Sequence, residues 1–237
     1  LMVMNGLKVS DFGTRRRYSY DNHKEVLGDL LSYGRGSITG TSNVHLAHLF
    51  NINCHGTLAH ELFMVHAAIY GYTMANKMTM DTWINTYNTN QLGTILPDTF
   101  TTDVFLKSFD NRLSNIFNTV RQDSGDPIEF TDKMINHYKS FGIDPMSKTI
   151  IFSDGLNVEK SVKLKDYCNG KIKCAFGIGT DLTNSINDVK PLNMVIKISE
   201  VYFDNMWIPA VKLSDNKMKN TGITEEVELC KKVLKII

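Results

Sequence analysis

Stretches with the pattern of a strand alternate with stretches patterned as helix along the whole chain, and this alternation limits the fold more than any other feature. Val9–Thr14, Ser37–Asn43, Ile52–Gly56, the apolar run before Arg121, Lys148–Ser153, Ile172–Phe176 and Met194–Ser199 read as strands, and Gly93–Phe100 as a strand and loop. Between them, apolar residues recur at helical spacing over His23–Ser32, Asn43–Phe50, Gly56–Ile69, Phe105–Ile116, Phe130–Phe141 and Val158–Cys168. Tyr202–Leu213 reads as the partner of the last strand in a hairpin, and Glu225–Ile236 as a terminal amphipathic helix. Such alternation points to a parallel sheet with helices packed on it. Roughly seven or eight strands suit an irregular (β/α)8-like barrel better than an open sheet. The expected organisation is an α/β barrel over 1–200, with the C-terminal hairpin and helix of 201–237 packed on it.

Composition removes several function classes. The 237 residues suffice for a sizeable core, and 42% hydrophobic with 22% charged residues is ordinary for a globular protein. A net charge of +1 offers no general field for nucleic acid or a membrane surface, so phosphate binding has to be local. Cys54, Cys168, Cys174 and Cys230 form no Cys-x-x-Cys pair, which fits reduced thiols in a cytoplasmic protein. No stretch is apolar for long enough to span a bilayer, and Leu1–Gly6 lacks the form of a signal peptide. No Gly-x-Gly-x-x-Gly follows the first strand and no Walker loop occurs, which argues against dinucleotide and P-loop folds.

Polar clusters close most of the strands: Asp11–Arg16, Thr41–Asn43, Gly56–His60, Asp98, Arg121–Asp126, Asp154–Asn157 and Gly177–Thr180. In a barrel the site sits at the carboxyl ends of the strands, so their common placement counts for more than any one of them. Val120–Pro127 is the richest. Arg121 offers a planar fork to carboxylate or phosphate, Asp123 and Asp126 can hold Mg²⁺ or accept sugar hydroxyls, and Gly125 admits a close ligand. The alternative for this stretch is a polar turn whose aspartate caps the next helix. His60, in the first turn of a helix after a strand, is placed to meet a phosphate, with Glu61 able to orient it; a structural histidine is the other reading. Of Arg15, Arg16 and Arg17, at most two can face one site, and Arg17 reads as solvated. His45 and His48 read as helix-surface residues rather than a metal pair.

These motifs, in their order, resemble those of the nicotinate phosphoribosyltransferase family. The resemblance rests on Asp11–Arg17, Gly40–Val44, Gly56–Glu61, Arg121–Pro127, Phe152–Asn157, Phe176–Thr180 and Lys190–Lys197, and covers nearly the whole chain. It implies formation of nicotinate mononucleotide and pyrophosphate from nicotinate and phosphoribosyl pyrophosphate, with Mg²⁺ and ATP hydrolysis. His60 would be the transiently phosphorylated histidine, and Asp123 and Asp126 would act around the ribose and the metal. Asp11, Thr14, Arg15, Arg16, Thr41, Ser42, Arg121, Ser124 and Asp154 would contact substrates, while Gly155, Gly177, Gly179 and Thr180 would cradle the 5′-phosphate. The resemblance further implies a homodimer for the full-length enzyme and a substantial segment before Asp11, almost all of which this chain lacks. Alternatives are nicotinamide- or quinolinate-specific relatives, or a non-catalytic phosphate-binding or oligomerisation portion.

Overall fold

The structure, a computed structural model, describes residues 2–34, 36–87, 92–186 and 189–236. In chain order the elements are β1 (Val9–Asp11), α1 (Tyr20–Tyr33), β2 (Ile38–Thr41), α2 (Val44–Phe50), α3 (His60–Tyr70) and α4 (Tyr72–Thr86). There follow β3 (Thr94–Ile95), α5 (Thr102–Ser108), α6 (Asn111–Ile116), β4 (Thr119–Gln122), α7 (Pro127–Ser140), β5 (Thr149–Phe152) and α8 (Val158–Cys168). The chain closes with β6 (Lys173–Ile178), the short α9 (Thr180–Thr183), β7 (Glu200–Phe203), β8 (Met206–Pro209) and α10 (Thr224–Leu234).

Helix starts follow directly from local chemistry. Ser19, Asn43, Asp110, Asp126 and Asn157 each accept a backbone N–H of the first turn, capping α1, α2, α6, α7 and α8. Each such cap is worth about 1 kcal/mol. Helix α7 ends as expected at Gly142, whose φ of +71° suits glycine and whose N–H returns to Lys139 O.

The chain divides into two compact units. The first is Leu1–Gly56 with Pro145–Val195. Its strands are parallel, with β1 between β2 and β6, and β6 also paired to β5. Val9, Ile38, Ile150, Phe152, Phe176 and Ile178 bury their side chains here. Parallel strands present their carboxyl ends at one edge, so Asp11, Thr41, Asp154 and Gly179 gather at that edge.

The second unit is Thr57–Asp144 with Ile196–Ile237. It holds the parallel pair β3–β4, a helical layer, the antiparallel hairpin β7–β8 and α10. Phe63, Phe100, Phe105, Phe109, Phe117 and Tyr138 are fully enclosed in it. Burying a side chain of this kind contributes about 1.5–3 kcal/mol, so this aromatic cluster dominates the unit's cohesion. The hairpin and terminal helix expected after residue 200 lie within this second unit. Parallel strands with covering helices make the fold α/β.

Three expectations change. The strand expected at Met194–Ser199 begins later, at Glu200, and pairs with Met206–Pro209. The reason is the turn: Asp204 and Asn205 both adopt positive φ (51° and 61°), which sets Phe203 opposite Met206. Val195 and Ile196 are exposed despite their alternation with polar residues. Ile52–Gly56 is not a strand but a single bridge between Cys54 and Thr41. The helix expected over Phe105–Ile116 is two, because Asp110 leaves the helical path and caps a new start. The polar, asparagine-rich stretch Thr79–Asn90, which reads as helix or loop, is the end of α4 as far as Thr86, and its continuation at 88–90 lies outside the described residues.

Candidate active site

The centre of the second unit is built around His60, the first residue of α3. Its Nδ1 lies 2.9 Å from Thr99 Oγ1, and its Nε2 lies 3.2 Å from Asp123 Oδ2 and 3.8 Å from Asp98 Oδ1. Thr99 and Asp98 come from the turn after β3, and Asp123 from the end of β4. Parallel pairing of β3 with β4 brings those two ends together. Side chains two residues apart on a strand share a face, and Arg121 accordingly reaches Asp123: its Nη2 donates to Asp123 Oδ1 at 2.6 Å. Its Nη1 donates to Thr57 Oγ1 at 2.9 Å. Ser124 donates to Asp98 Oδ2 at 2.5 Å, while Asp98 Oδ1 is enclosed without a hydrogen-bond partner.

Lys212 joins this environment from the segment after β8. It is 5% exposed. Burial pushes its ammonium pKa down, against the opposing pull of the Asp98 and Asp123 charges. Nothing in Val211-Lys-Leu-Ser marked it in the sequence. Asp98 was legible only as a polar strand end, and Thr99 and Thr57 had no distinguishing signal.

The expected roles divide accordingly. His60, Arg121, Asp123 and Ser124 converge in this centre. The carboxylate that joins Asp123 beside His60 is Asp98, whereas Asp126 accepts Ile128 N–H at 2.8 Å and Glu129 N–H at 2.9 Å as the cap of α7. Glu61, read as an orienter of the imidazole, instead receives Lys197 Nζ at 2.7 Å. Burial raises its pKa, but the Lys197 hydrogen bond and charge outweigh that and hold it below the usual value.

In the first unit, Asp11 accepts three hydrogen bonds at the end of β1. Thr41 Oγ1 donates at 2.5 Å, Gly13 N–H at 2.8 Å, and His23 Nε2 lies at 2.7 Å. Burial alone would raise the Asp11 pKa; the bonds from His23 and Thr41 overcome it and set the value below the ordinary one. Ser42 N–H returns to Asp11 O at 2.8 Å, and Thr14 Oγ1 accepts Asn43 Nδ2 at 3.2 Å. Arg16 Nη2 donates to Asn193 Oδ1 at 2.8 Å, whereas Arg15 is exposed. His45 Nε2 lies 2.8 Å from the Tyr20 hydroxyl.

The glycines of this edge differ in role. A Cβ on Gly177 would fall 2.5 Å from the Phe12 ring, and one on Gly179 would fall 3.0 Å from Phe12 O. Both are required by packing. Gly155, after half-buried Asp154, has φ +56° with open space beside it, so its conformation rather than its surroundings selects glycine. Thr180 opens the short α9 directly after Gly179.

A histidine with one nitrogen anchored and the other turned to two carboxylates can hold a proton or accept a phosphoryl group at Nε2. In α/β folds, ligands bind beyond the carboxyl ends of the parallel strands, which is where this centre lies. The chain belongs to the nicotinate phosphoribosyltransferase (NAPRTase) family, whose sequence pattern it matches over residues 7–236. It is 46% identical over 236 residues to a nicotinate phosphoribosyltransferase of Desulforapulum autotrophicum, covering 99% of this chain and 60% of the relative. A Chromohalobacter salexigens relative of the same name is 48% identical over 230 residues, with 97% and 58% covered. Among solved structures, the nicotinate phosphoribosyltransferase of Porphyromonas gingivalis superposes with a TM-score of 0.96 at 42% identity, over 99% of this chain and 61% of that one. A Saccharomyces cerevisiae structure described as a putative nicotinate phosphoribosyltransferase gives 0.90 at 38% identity, with 100% and 60% covered. The chain thus spans about three fifths of the length of these relatives.

Proposed function

We propose that the protein to which this chain belongs is a nicotinate phosphoribosyltransferase acting in NAD biosynthesis. The observation that carries the reading is the His60–Asp98–Asp123 centre in a chain of this family. In the proposed reaction the pyridine nitrogen of nicotinate attacks the anomeric carbon of phosphoribosyl pyrophosphate. A C–N bond forms, the bond from carbon to the pyrophosphate oxygen breaks, and pyrophosphate leaves with the electron pair. Positive charge grows on the ribose ring, and the Asp123 carboxylate, held in place by Arg121, is suited to stabilise it. ATP hydrolysis is coupled through transient transfer of the terminal phosphoryl group to His60 Nε2, with Thr99 holding Nδ1 in the orientation that transfer needs. The N–P bond forms as the P–O bond to the leaving ADP breaks, and water later cleaves N–P to release phosphate.

Mg²⁺ fits the carboxylates of Asp98 and Asp123: both are hard oxygen donors, and Asp98 Oδ1 is an enclosed acceptor without a partner. Such an ion supplies charge neutralisation for the pyrophosphate. At the strand ends of the first unit, Asp11, Thr14, Arg15, Arg16, Thr41, Ser42 and Asp154 belong to the same reading as substrate contacts. There Gly155, Gly177, Gly179 and Thr180 receive the 5′-phosphate. The irregular (β/α)8-like barrel, a homodimeric full-length enzyme and a cytoplasmic setting belong to it too. The last is supported by four free thiols and by the absence, among the described residues, of a helix long and apolar enough to cross a membrane.

The test is product formation, read by mass spectrometry, from phosphoribosyl pyrophosphate, Mg²⁺ and either nicotinate or nicotinamide, with and without ATP. Nicotinate mononucleotide that rises with ATP, and loses that response in His60→Ala, is expected. Product from nicotinamide alone, or a response to ATP that persists in His60→Ala, overturns the assignment.

A further inference from the structure

His60 Nε2, Asp98 Oδ1 and Asp123 Oδ2 converge so that all three lie within 4.8 Å of one another. Two of the separations are 3.2 and 3.8 Å. Ligand atoms at about 2.0–2.1 Å from a tetrahedral Zn²⁺ stand roughly 3.3 Å apart, so little adjustment is needed to admit one. Each residue also has its remaining atom held from outside. Thr99 holds His60 Nδ1, Ser124 donates to Asp98 Oδ2, and Arg121 donates to Asp123 Oδ1. This is the support that orients metal ligands, with every partner on the atom facing away from the convergence point.

A second observation is independent of the clustering. Asp98 Oδ1 is an enclosed carboxylate oxygen with no hydrogen-bond partner, on a side chain 2% exposed, and it is turned to the His60 ring. An enclosed acceptor left without a donor is costly and calls for an occupant. We propose that His60, Asp98 and Asp123 form an open three-ligand site for a borderline-soft divalent transition metal such as Zn²⁺ or Co²⁺, whose binding takes His60 Nε2 out of chemistry. The imidazole nitrogen separates this site from one for Mg²⁺, which prefers oxygen ligands alone. Metal binding itself does not depend on the proposed activity. Its consequence, that Zn²⁺ blocks phosphorylation of His60, does.

The experiment is a titration of the unaltered chain with Co²⁺ followed by visible absorption, then displacement by Zn²⁺. Expected are d–d bands of a tetrahedral nitrogen and oxygen site, saturating at one equivalent, with no thiolate charge-transfer band. Affinity should fall by about 10–100-fold in Thr99→Val, which leaves all three ligands in place. The bands should vanish in His60→Ala, with folding checked by circular dichroism. Absence of bands on the unaltered chain, or bands that carry thiolate charge transfer, as from the adjacent thiols Cys168 and Cys174, overturns the proposal. So does binding that is unchanged in His60→Ala. A second arm measures labelling of His60 by ATP with and without Zn²⁺. Failure of labelling even without Zn²⁺ overturns the ATP-coupled reading while leaving the metal site standing on its spectrum.

Discussion

His60 Nε2 and Asp123 Oδ2 stand 3.2 Å apart, one at the start of a helix and the other at the end of a strand 63 residues later. The contact joins an ionisable ring to a carboxylate that Arg121 holds from its other side. Asp123→Asn preserves the shape and removes the charge. In the proposed reaction it should lower kcat/KM for nucleotide formation by about 10²–10³-fold, the size seen when a preorganised electrostatic contact is lost. Steady-state kinetics with saturating Mg²⁺ check this, and a loss smaller than threefold would remove Asp123 from the chemistry.

Asp11 carries a prediction about stability rather than turnover. Its carboxylate accepts bonds from Thr41, Gly13 and His23 in an enclosed position. Asp11→Asn should cost about 3 kcal/mol at neutral pH, since an enclosed charged acceptor with good partners is lost. The folded pKa lies below the ordinary value of 3.8, so the unfolded chain binds the proton more readily. The stabilisation is therefore fully present above that value and is lost as pH falls through the folded pKa. Urea melts at pH 7 and along an acid series should show the variant weaker at pH 7, with a shallower decline in acid.

Much of this could be read in advance, and the failures have physical causes. Strand ends were visible because short apolar runs stop at polar clusters, and Asp11, Thr41, Arg121, Asp123 and Gly179 all fall where that pattern put them. Asp126 was ambiguous in principle. An aspartate just before Pro127 serves equally as a ligand or a helix cap, and its oxygen meets two free N–H groups of α7. The helix expected through Phe109 divides because Asp110 offers its side chain to Leu113 N–H, a local competition that apolar spacing does not record. The hairpin register was set by Asp204 and Asn205, two positive-φ residues without the glycine that usually signals such a turn. Lys212 was invisible because proximity to Asp98 and Asp123 is a long-range fact of packing.

Tyr72 and Glu226 tie α4 to α10 by a 2.5 Å hydrogen bond. Burial and the neighbouring carboxylate both push the Tyr72 hydroxyl to hold its proton, so it remains the donor throughout the working pH range. Tyr72→Phe keeps the ring against Phe100 and removes only that bond. It should cost about 1 kcal/mol. Hydrogen exchange should quicken in Thr224–Leu234 and stay unchanged in His60–Tyr70. Equal acceleration in both would mean that the terminal helix does not open as a separate unit.

A packing test lies between Gly177 in β6 and Phe12 just after β1. A Cβ at Gly177 would meet three atoms of the Phe12 ring at 2.5, 2.6 and 3.0 Å, with strand pairing Ser10↔Gly177 fixing the backbone on both sides. Neither strand can retreat without breaking parallel ladder bonds, so the ring has to move. Gly177→Ala should therefore cost about 1–3 kcal/mol as an overpacked site. Phe12→Ala alone should also destabilise, by opening a cavity. The two effects should not add: in the double variant the added methyl occupies space the ring has left. A coupling of about 1 kcal/mol or more in favour of the double variant is the expected sign of direct contact. Strict additivity in urea melts of the four chains would show that the glycine is needed for some other reason, such as room for a ligand at this strand end.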